Sequence, residues 1–493
     1  MPAGYFRFSH THCPHLQKIN HKASISCTSF HTFEPSKKHF HMSDFKSINP
    51  FTNQTIAEYP TLNSAQLKAA LDQNQSAYND YTQRSLGEKN AALHRLAAIM
   101  KDEKTQAAKL LAVEMGKPIQ QGIAEIEKCA WVCHYYAEKA EELLTPKATK
   151  TDAKSSYVRY APQGAVLMIM PWNFPFWQVF RVAAPAAALG NSLLLKHAPN
   201  VQGCAELIEE WFQKADFPAH YLKNLPIPTG LVEECIAHEH VCGVSVTGST
   251  RAGSAVASTA GKHLKKTVLE LGGSNPLIVF QNADLDYAVK KAVQGRFQNT
   301  GQSCIAAKRL IIHENIAEEF TQKLKAEIEQ LKIENPLNPD AYLGPMARVD
   351  LAEELEKQYD KSIEAGAIAE VPARRDAAHF TPALLSGVQP GMPAFDEETF
   401  GPLACITSFS STRQALELAQ HTPYGLGASI FCQNPTDFES LIEQLPDGAV
   451  FFNDFVKSDP RLPFGGTKNS GYGHELAHEG IYEFANIQTV YVA

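Results

Sequence analysis

A cysteine and a glutamate form the most informative pair in the sequence. Cys304 ends the run Phe-Gln-Asn-Thr-Gly-Gln-Ser-Cys, 34 residues after Glu270, which precedes Leu-Gly-Gly. A thiolate can attack a carbonyl carbon, and a carboxylate can act as the base that deprotonates water. The pair therefore suits a reaction that passes through a covalent thioester. Most cysteines are small buried hydrophobic residues, so this interpretation depends on the motifs around it.

A second signal is the run Pro-Trp-Asn-Phe-Pro at 171–175. The two prolines restrict the loop and hold the side-chain amide of Asn173 between them. When a thiolate attacks a carbonyl group, an amide N–H aimed at the resulting oxyanion contributes roughly 10²–10³ in rate. The alternative is an asparagine that only caps a turn. The pentapeptide context favours the oxyanion role.

Strands that alternate with helices are predicted to position these residues. Short apolar runs indicate buried parallel strands, and helical patterns lie between them. A doubly wound sheet binds ligands beyond the carboxyl ends of its strands, which is where the polar motifs lie. The predicted strands are Ala165–Met170, Ser192–Lys196, Gly243–Thr247 and Thr267–Glu270, and the predicted helices are Phe176–Leu189, Val201–Lys214 and Thr250–Gly261.

A second α/β region is predicted after residue 273, and a helical region is predicted before both. Leu277–Phe280 is expected to be a strand, and Asp284 is expected to cap a helix that ends just before the cysteine loop. Residues 64–143 have a helical, alanine-rich pattern that Gly-Lys-Pro at 116–118 interrupts. The fold class is therefore α/β, with Cys304 on a loop beside a sheet.

Size and composition limit the function classes. A chain of 493 residues is too long for one core, so two or three domains are expected. The net charge of −8 argues against nucleic acid or an anionic membrane as a partner, and the longest apolar run, Val182–Leu195, is too short and interrupted to span a membrane. The ten cysteines include no C-x-x-C pair. They indicate reduced thiols in a cytoplasmic enzyme, and no metal site is predicted.

The N-terminal segment differs from the rest of the chain. Residues 1–41 hold seven of the 19 histidines and carry five basic residues against one acidic residue. A metal-binding tail and a transit peptide are alternatives, but the histidine spacing is irregular and Arg7 is the only arginine. We expect residues 1–42 to be a disordered extension, or a spurious one that results from an upstream start site.

Together these motifs resemble the aldehyde dehydrogenase superfamily over nearly all of residues 43–493. The resemblance implies that Cys304 is the nucleophile and that Glu270 activates the water that hydrolyses the thioester. It also implies that Asn173 and the backbone N–H of Cys304 form the oxyanion hole. Relatives that release the acyl group to coenzyme A lack the glutamate, so its presence disfavours that reaction.

The resemblance also implies a domain organisation. A Rossmann-type cofactor domain, an α/β catalytic domain and an oligomerisation flap are expected. The flap would use exposed strand edges that a neighbouring chain covers, which predicts a homodimer or homotetramer. The expected boundaries are 43–143 and 163–270 for the cofactor domain, 271–476 for the catalytic domain, and 144–162 and 477–493 for the flap.

NAD or NADP is the implied cofactor. The run at 247–253 passes from a strand into a helix and matches the family's pyrophosphate contact, although it is not the G-x-G-x-x-G fingerprint. Where NAD-preferring members carry a glutamate, this chain has Pro199, which removes repulsion against a 2′-phosphate. His197 either adds to this or only packs. The implied cofactor contacts are Trp172, Lys196, Pro199, Gly248, Ser249, Leu271, Glu398 and Phe400.

The implied substrate is succinate semialdehyde, which would be oxidised to succinate. Arg181 and Ser458 match residues that bind the substrate carboxylate in succinate-semialdehyde dehydrogenases, with Gln298 as a third contact. Arginine can hold a carboxylate by two parallel N–H bonds, although a structural ion pair is the alternative for Arg181. Many such enzymes have arginine where this chain has Gln298, and whether Arg296 substitutes for it is open. Ala306 replaces a second cysteine, so no redox lock is expected.

Two other functions remain as alternatives. The same chemistry could act on glutarate semialdehyde or on an uncharged aldehyde. A non-enzymatic structural protein would need a broken catalytic set, and the site argues against it. The residues that argue against it are Asn173, Lys196, Glu270, Cys304 and Glu398.

Overall fold

Amphipathic and alanine-rich segments form fourteen helices in the part of the chain that the computed structural model describes, which is residues 44–434, 436 and 439–493. Asn63 and Ser85 start the first two with capping boxes. In chain order, the helices are α1 Ser64–Thr82, α2 Leu86–Met115, α3 Ile119–Leu144, α4 Trp177–Leu189, α5 Gln202–Lys214, α6 Val232–Ala237, α7 Thr250–Lys262, α8 Leu285–Phe297, α9 Glu314–Gln330, α10 Val349–Glu364, α11 Pro393–Asp396, α12 Thr412–Gln420, α13 Glu439–Ile442 and α14 Ala477–Tyr482.

The strands of the described residues form six sheets. In chain order, they are β1 Phe45–Asn49, β2 Gln54–Tyr59, β3 Lys147–Ala148, β4 Ser155–Ala161, β5 Ala165–Met170, β6 Ser192–His197, β7 Leu222–Asn224, β8 Val241–Thr247, β9 Lys266–Glu270, β10 Asn275–Val279, β11 Ala307–His313, β12 Ile368–Val371, β13 Arg375–Asp376, β14 His379–Phe380, β15 Ala383–Ser386, β16 Leu403–Phe409, β17 Tyr424–Gly425, β18 Ala428–Phe431, β19 Val450–Phe452, β20 Thr467–Lys468, β21 Gly471–Tyr472 and β22 Asn486–Val492.

The first large sheet has the order β21-β9-β8-β5-β6-β7, and its central strands are parallel. The chain runs outward through β5, β6 and β7 and then returns to β8 on the other side of β5. This reversal is a topological switch point, where doubly wound sheets bind ligands. All four predicted strands of this sheet are confirmed, and β5 has the predicted bounds. One short strand from the predicted catalytic segment, β21, pairs antiparallel with β9 at the sheet edge.

The second large sheet has the order β12-β15-β16-β11-β10-β18-β19, with β12 antiparallel to its neighbour. Its apolar strands are buried against α8 and α9, which together form a separate hydrophobic core. Asp284 caps α8 as predicted, because its side chain accepts a hydrogen bond from the Tyr287 N–H at 3.0 Å. The helix ends at Phe297, seven residues before Cys304.

A third sheet joins two distant parts of the chain. In it β22 pairs antiparallel with β4, which also pairs with β3, so that residues 155–161 meet residues 486–492. The other edge of β22 has no partner strand among the described residues. Ile487, Tyr491 and Val492 are exposed on this strand.

The expected extension at 1–42 lies outside the described residues. The predicted domain boundaries stay predictions. No helix in the described part is both long and apolar enough to cross a membrane. The predicted helix break at 116–118 is confirmed: α2 ends at Gly116, whose φ of 79° is left-handed, and α3 begins at Ile119.

Candidate active site

An unusual turn presents Cys304. Between α8 and β11 the chain forms a 3₁₀ turn, Gln298–Gly301, in which Asn299 and Thr300 have left-handed φ values of 55° and 54°. Gly301 follows at φ 70°, and a Cβ there would come within 2.3 Å of the Gly401 carbonyl oxygen. Only glycine fits this approach. Such strain persists where the surrounding structure fixes it, as is common in active sites.

Hydrogen bonds connect the Asn173 loop directly to the cysteine loop. The Asn299 side chain donates to the Asn173 carbonyl oxygen at 2.9 Å, and the Asn173 side chain donates to the Gln302 carbonyl oxygen at 3.1 Å. Gln178 donates to the Asn173 side-chain oxygen at 3.0 Å, which fixes the orientation of the amide. One amide hydrogen of Asn173 therefore remains for a ligand beside Cys304, which is compatible with the predicted oxyanion role.

A buried ion pair stabilises the loop that contains Asn173. Lys117 and Glu125 pair with each other, and both are almost completely buried. Lys117 also donates to the Asn173 carbonyl oxygen at 3.0 Å. Glu125 accepts from the backbone N–H groups of Phe176 and Trp177, both at 3.0 Å, at the start of α4. A carboxylate in this position satisfies free N–H groups of the helix and interacts favourably with its dipole.

Glu270 is a buried carboxyl group without a hydrogen-bond partner among the described residues. It ends β9, is 2% exposed, and neither of its oxygens is paired. Burial raises its pKa well above the ordinary value, the negative charge of Glu475 raises it further, and Arg181 partly opposes both effects. Glu270 therefore has a high proton affinity, as a general base requires.

Arg181 forms a buried ion pair with Glu475, with its Nε 2.6 Å from the carboxylate. Its guanidinium group also lies over the Phe464 ring, 4.6 Å from the ring centroid. The structural ion pair considered for Arg181 is thus present. Arg181 nevertheless lines the same cavity as Cys304, so its role toward a substrate stays a prediction.

The surroundings of Cys304 favour the protonated thiol. Burial raises its pKa to about 11, although the positive charges of Arg181 and Lys308 oppose this effect. A proton acceptor must therefore remove the thiol proton before attack. Glu270 is a nearby carboxylate, and its charge is one of the influences that raise the pKa of Cys304.

Lys308 joins three parts of the site. Its ammonium group is completely buried and donates to the Cys304 carbonyl oxygen at 2.9 Å and to the Glu398 carboxylate at 2.7 Å. It also donates to the Gly273 carbonyl oxygen. Glu398 further accepts from the Gly273 N–H at 3.1 Å, and a Cβ at Gly272 would meet Glu398 at 2.5 Å. The cysteine loop, the glycines after Glu270 and Glu398 are therefore fixed relative to one another.

The predicted cofactor contacts of the first sheet lie at the carboxyl ends of its strands. Lys196 is near the end of β6; burial lowers its pKa, and it forms no ion pair with any described carboxylate. Ser249 caps α7 by accepting from the Ala252 N–H at 3.3 Å, and Gly248 donates to the Glu270 carbonyl oxygen at 3.0 Å. The helix N-terminus and the lysine offer N–H groups and positive charge suited to phosphate and ribose oxygens.

Aromatic and histidine side chains also lie among the predicted cofactor contacts. The rings of Trp172 and Phe400 contact each other edge to face, with centroids 5.8 Å apart. His197 is completely buried, its ring hydrogen-bonds with backbone groups that include the Pro175 carbonyl oxygen and the Ala198 N–H, and burial lowers its pKa to about 4. It therefore packs as a neutral residue and supplies no charge for a 2′-phosphate. Pro199 begins a 3₁₀ turn, Pro199–Val201.

A cavity of about 270 Å³ reaches Cys304. This volume is just below the range of about 300–1,000 Å³ that is usual for ligand pockets, so a small substrate fits it best. Three predicted substrate contacts share the cavity with the cysteine, whereas Glu270 does not line it. Residues that line it include Lys128, Trp177, Arg181, Gln298, Cys304 and Ser458.

Arg296 does not replace the missing arginine at 298. Its guanidinium group is completely buried and donates to the carbonyl oxygens of Leu403, Gly301, Thr399 and Gly401. All these contacts are with the backbone around the turn, so Arg296 stabilises the cysteine loop and has no surface in the cavity.

Comparison with known proteins agrees with this geometry. The sequence profile of the "Aldehyde dehydrogenase family" matches residues 38–490. The chain belongs to the aldehyde dehydrogenase family. It is 43% identical over 450 residues to the "Probable succinate-semialdehyde dehydrogenase [NADP(+)]" of Synechocystis sp., covering 91% of this chain and 99% of that protein. It is 42% identical over 448 residues to an Escherichia coli succinate semialdehyde dehydrogenase [NAD(P)+], covering 90% and 97%.

Solved structures of aldehyde dehydrogenases confirm the fold prediction. Succinic semialdehyde dehydrogenase from Streptococcus pyogenes, solved with NADP+ as the cofactor, matches with a TM-score of 0.89 and 32% sequence identity. The match covers 91% of this chain and 99% of that one. The recognised family and the α/β fold are therefore established for this chain.

Three charged residues around the candidate site were not found by reading the sequence. Lys308 and Glu475 are buried, and Lys128 is half-buried at the wall of the cavity. Lys308 had a local signal, since it lies within the apolar strand β11, only four residues after Cys304. Lys128 and Glu475 had none, because their partners are distant in the sequence.

Proposed function

We propose that the protein oxidises succinate semialdehyde to succinate, with NAD or NADP as the hydride acceptor. The single observation that carries this proposal is the small cavity that holds Cys304 together with Arg181, Lys128 and Ser458. Positive charge and a hydroxyl group suit a carboxylate, and the thiol suits an aldehyde carbon. The relatives at 42–43% identity are named for the same substrate, which supports the proposal.

The residues would act in the following order. Solvent, directly or through Glu270, takes the thiol proton of Cys304. The sulfur then bonds to the aldehyde carbon as the C=O π bond breaks, and the oxygen becomes an oxyanion facing the Asn173 amide and the Cys304 backbone N–H. The chemistry that bound NAD or NADP supplies is acceptance of the hydride that this adduct loses as it becomes a thioester. Glu270 then takes a proton from water, whose oxygen attacks the thioester carbon, and the sulfur leaves as the thiolate. The net reaction consumes aldehyde, oxidised cofactor and water.

The proposed cofactor site fits either nucleotide. Lys196, the N-terminus of α7 at Ser249 and the Trp172–Phe400 pair are proposed to contact the adenosine ribose, the pyrophosphate and the nicotinamide side, respectively. Glu398 is proposed to bind the nicotinamide ribose. Lys196 is half-buried and has no carboxylate partner among the described residues, which is compatible with an oxygen-rich ligand. Gly248 and Leu271 complete the proposed contacts.

Replacing Pro199 with glutamate is expected to shift the nucleotide preference toward NAD. A carboxylate at the end of β6 would repel a 2′-phosphate and could bind a ribose 2′-hydroxyl group. We expect the ratio of kcat/KM with NADP to kcat/KM with NAD to fall about 10- to 100-fold. Initial rates with both nucleotides measure it, and Pro199→Gln is the neutral control. If the NADP-to-NAD ratio of kcat/KM is the same in Pro199→Glu and Pro199→Gln, the 2′ position of the adenosine ribose does not lie beside residue 199.

The function itself is tested by initial rates of NADH and NADPH formation. Succinate semialdehyde and butanal are compared in the complete chain, with Cys304→Ala as the blank. The proposal expects kcat/KM to be higher for the carboxylated aldehyde, by at least about 10-fold if the cavity binds the carboxylate. A higher value for butanal would favour the uncharged-aldehyde alternative. Glutarate semialdehyde, measured in the same way, tests the length of the cavity.

Two further aspects of the function are proposed. Seven described cysteines, from Cys129 to Cys405, carry free thiols, which supports action in the reducing cytoplasm. The partnerless edge of β22 and its exposed Ile487, Tyr491 and Val492 support a homodimer or homotetramer that covers this strand. The mass of the native protein in solution, measured by light scattering, tests the assembly.

A further inference from the structure

Lys128 is the cation of the active-site cavity whose charge no carboxylate neutralises. Three cationic side chains line the cavity in the described structure, namely Lys128, Arg181 and Lys457. Arg181 pairs with Glu475 at 2.6 Å. Lys457 lies 2.7 Å from Asp454, a carboxylate that it shares with Lys291, and its side chain is mostly exposed, so that solvent screens its charge. No described carboxylate lies within ion-pair distance of Lys128, so its charge remains available to a ligand.

The surroundings of Lys128 are shaped for a ligand with oxygen atoms. Its ammonium group lies over the Trp177 ring, 4.4 Å from the ring centroid, and donates to the Ser458 hydroxyl oxygen at 2.9 Å. The same oxygen accepts from the Trp177 indole N–H at 3.0 Å. With both lone pairs occupied, Ser458 has only its O–H left to donate. The ammonium group also keeps N–H donors that have no partner.

The nearby acidic groups are already paired with other cations. Glu125, one turn before Lys128 on α3, pairs with Lys117, and Asp459 pairs with Arg461. Lys128 is half-buried, and a partly desolvated ammonium group without an opposite charge beside it is stabilised when a ligand supplies that charge. A carboxylate that accepts from Lys128 and Ser458 would provide that compensation.

We propose that Lys128, together with the Ser458 hydroxyl group, binds the carboxylate of the substrate and determines the preference for a carboxylated aldehyde. The inference rests on the proposed function and deepens it. It assigns the main carboxylate contact to α3 instead of to Arg181, whose charge Glu475 already balances. The uncharged part of the substrate would lie between this contact and Cys304.

The test compares Lys128→Met and Lys128→Arg in the complete chain. Lys139→Met is the matched control, because Lys139 is exposed on the same helix and pairs only with Glu142. We expect Lys128→Met to lower kcat/KM for succinate semialdehyde about 10- to 150-fold through a higher KM. The value for butanal should stay within about 3-fold, and Lys128→Arg should keep most of the preference, because arginine retains the charge.

The outcomes separate this inference from the proposed function. If the wild-type protein prefers butanal, the proposed function fails, and the assignment of Lys128 fails with it. If the wild-type protein prefers succinate semialdehyde but Lys128→Met lowers both aldehydes equally or neither, only the assignment of Lys128 is wrong. A parallel loss of both would indicate a structural role, which the thermal midpoint of unfolding would reveal independently.

A pH profile gives a second readout that a structural role would not change. Burial, and then the charge of Arg181, lower the pKa of Lys128 to about 8, while Cys129, Asp459 and Glu125 act in the opposite direction. Titration of Cys304 and Glu270 affects both aldehydes alike. It therefore has no effect on the ratio of kcat/KM for succinate semialdehyde to kcat/KM for butanal. This ratio should fall as pH rises through about 8 in the wild-type protein and stay level in Lys128→Arg. A level ratio in both would overturn the inference.

Discussion

Replacing Cys304 with serine is expected to lower kcat/KM for every aldehyde by at least about 1,000-fold. A hydroxyl group is a much weaker nucleophile than a thiolate, and no described histidine is placed to activate it. The loop should be unchanged, because its shape is set by the left-handed turn at 299–301 and by Arg296. Initial rates of NADPH and NADH formation measure the loss.

Cys242→Ser is the matched control for this substitution. Cys242 is partly exposed on β8, and burial raises its pKa to about 12, so it is a thiol with similar properties outside the cavity. Its replacement should leave kcat/KM within about 2-fold, as is usual for conservative changes away from a site. Residual activity above a few per cent in Cys304→Ser would mean that no thioester is formed on Cys304.

Local patterns explain which parts of the fold could be predicted. The strands of the first sheet were visible because each is an apolar run ended by a polar or glycine residue. Asp284 was recognisable as a helix cap because its contact lies within one turn, at Tyr287. Likewise, Asn173 and Cys304 stand in dense local motifs. Features that depend on neighbours in the sequence are therefore those that the sequence reveals.

Long-range electrostatics explains what could not be predicted. Lys128 and Ser458 are 330 residues apart in the sequence, yet their side chains form a hydrogen bond. Nothing near Arg181 in the sequence indicates that Glu475 will neutralise it. The charge of a cavity is a sum over all its walls, so one strand or helix does not determine which cation remains free.

The ion pair of Arg181 also changes how the substrate is best tested. Removing Arg181 would leave Glu475 without its cation, and Glu475 already raises the pKa of Glu270. Such a variant would lose activity on all aldehydes, whether or not Arg181 contacts the substrate. Lys128 forms no ion pair with an acidic residue in the described part of the chain, so its replacement separates binding of the carboxylate from the chemistry at Cys304.

Replacing Glu270 with glutamine is expected to stop the reaction at the thioester. The amide has the shape of the carboxyl group but cannot accept a proton from water. One equivalent of reduced cofactor per chain should form in a rapid burst, and the later steady rate should fall about 100- to 10,000-fold, the usual contribution of a general base. Rapid-mixing absorbance at the reduced nicotinamide band measures both phases. Glu138→Gln, an exposed change on α3, is the control.

The pH dependence gives the direction of this effect. Because burial holds the pKa of Glu270 well above its usual value, the carboxylate form increases as pH rises above the ordinary range for a glutamate. The steady rate of the wild-type protein should therefore increase with pH, whereas that of Glu270→Gln should lack this dependence.

The size of the burst decides which proton Glu270 removes. A full burst followed by a slow steady rate would assign Glu270 to water activation alone. Loss of the burst would mean that Glu270 also takes the Cys304 proton. Removal of this proton needs a base, because burial raises the pKa of the thiol to about 11. In that case the addition of hydroxylamine, which cleaves thioesters without a base, would not restore turnover. If hydroxylamine does restore it, the thioester forms normally and the carboxylate is needed only for hydrolysis.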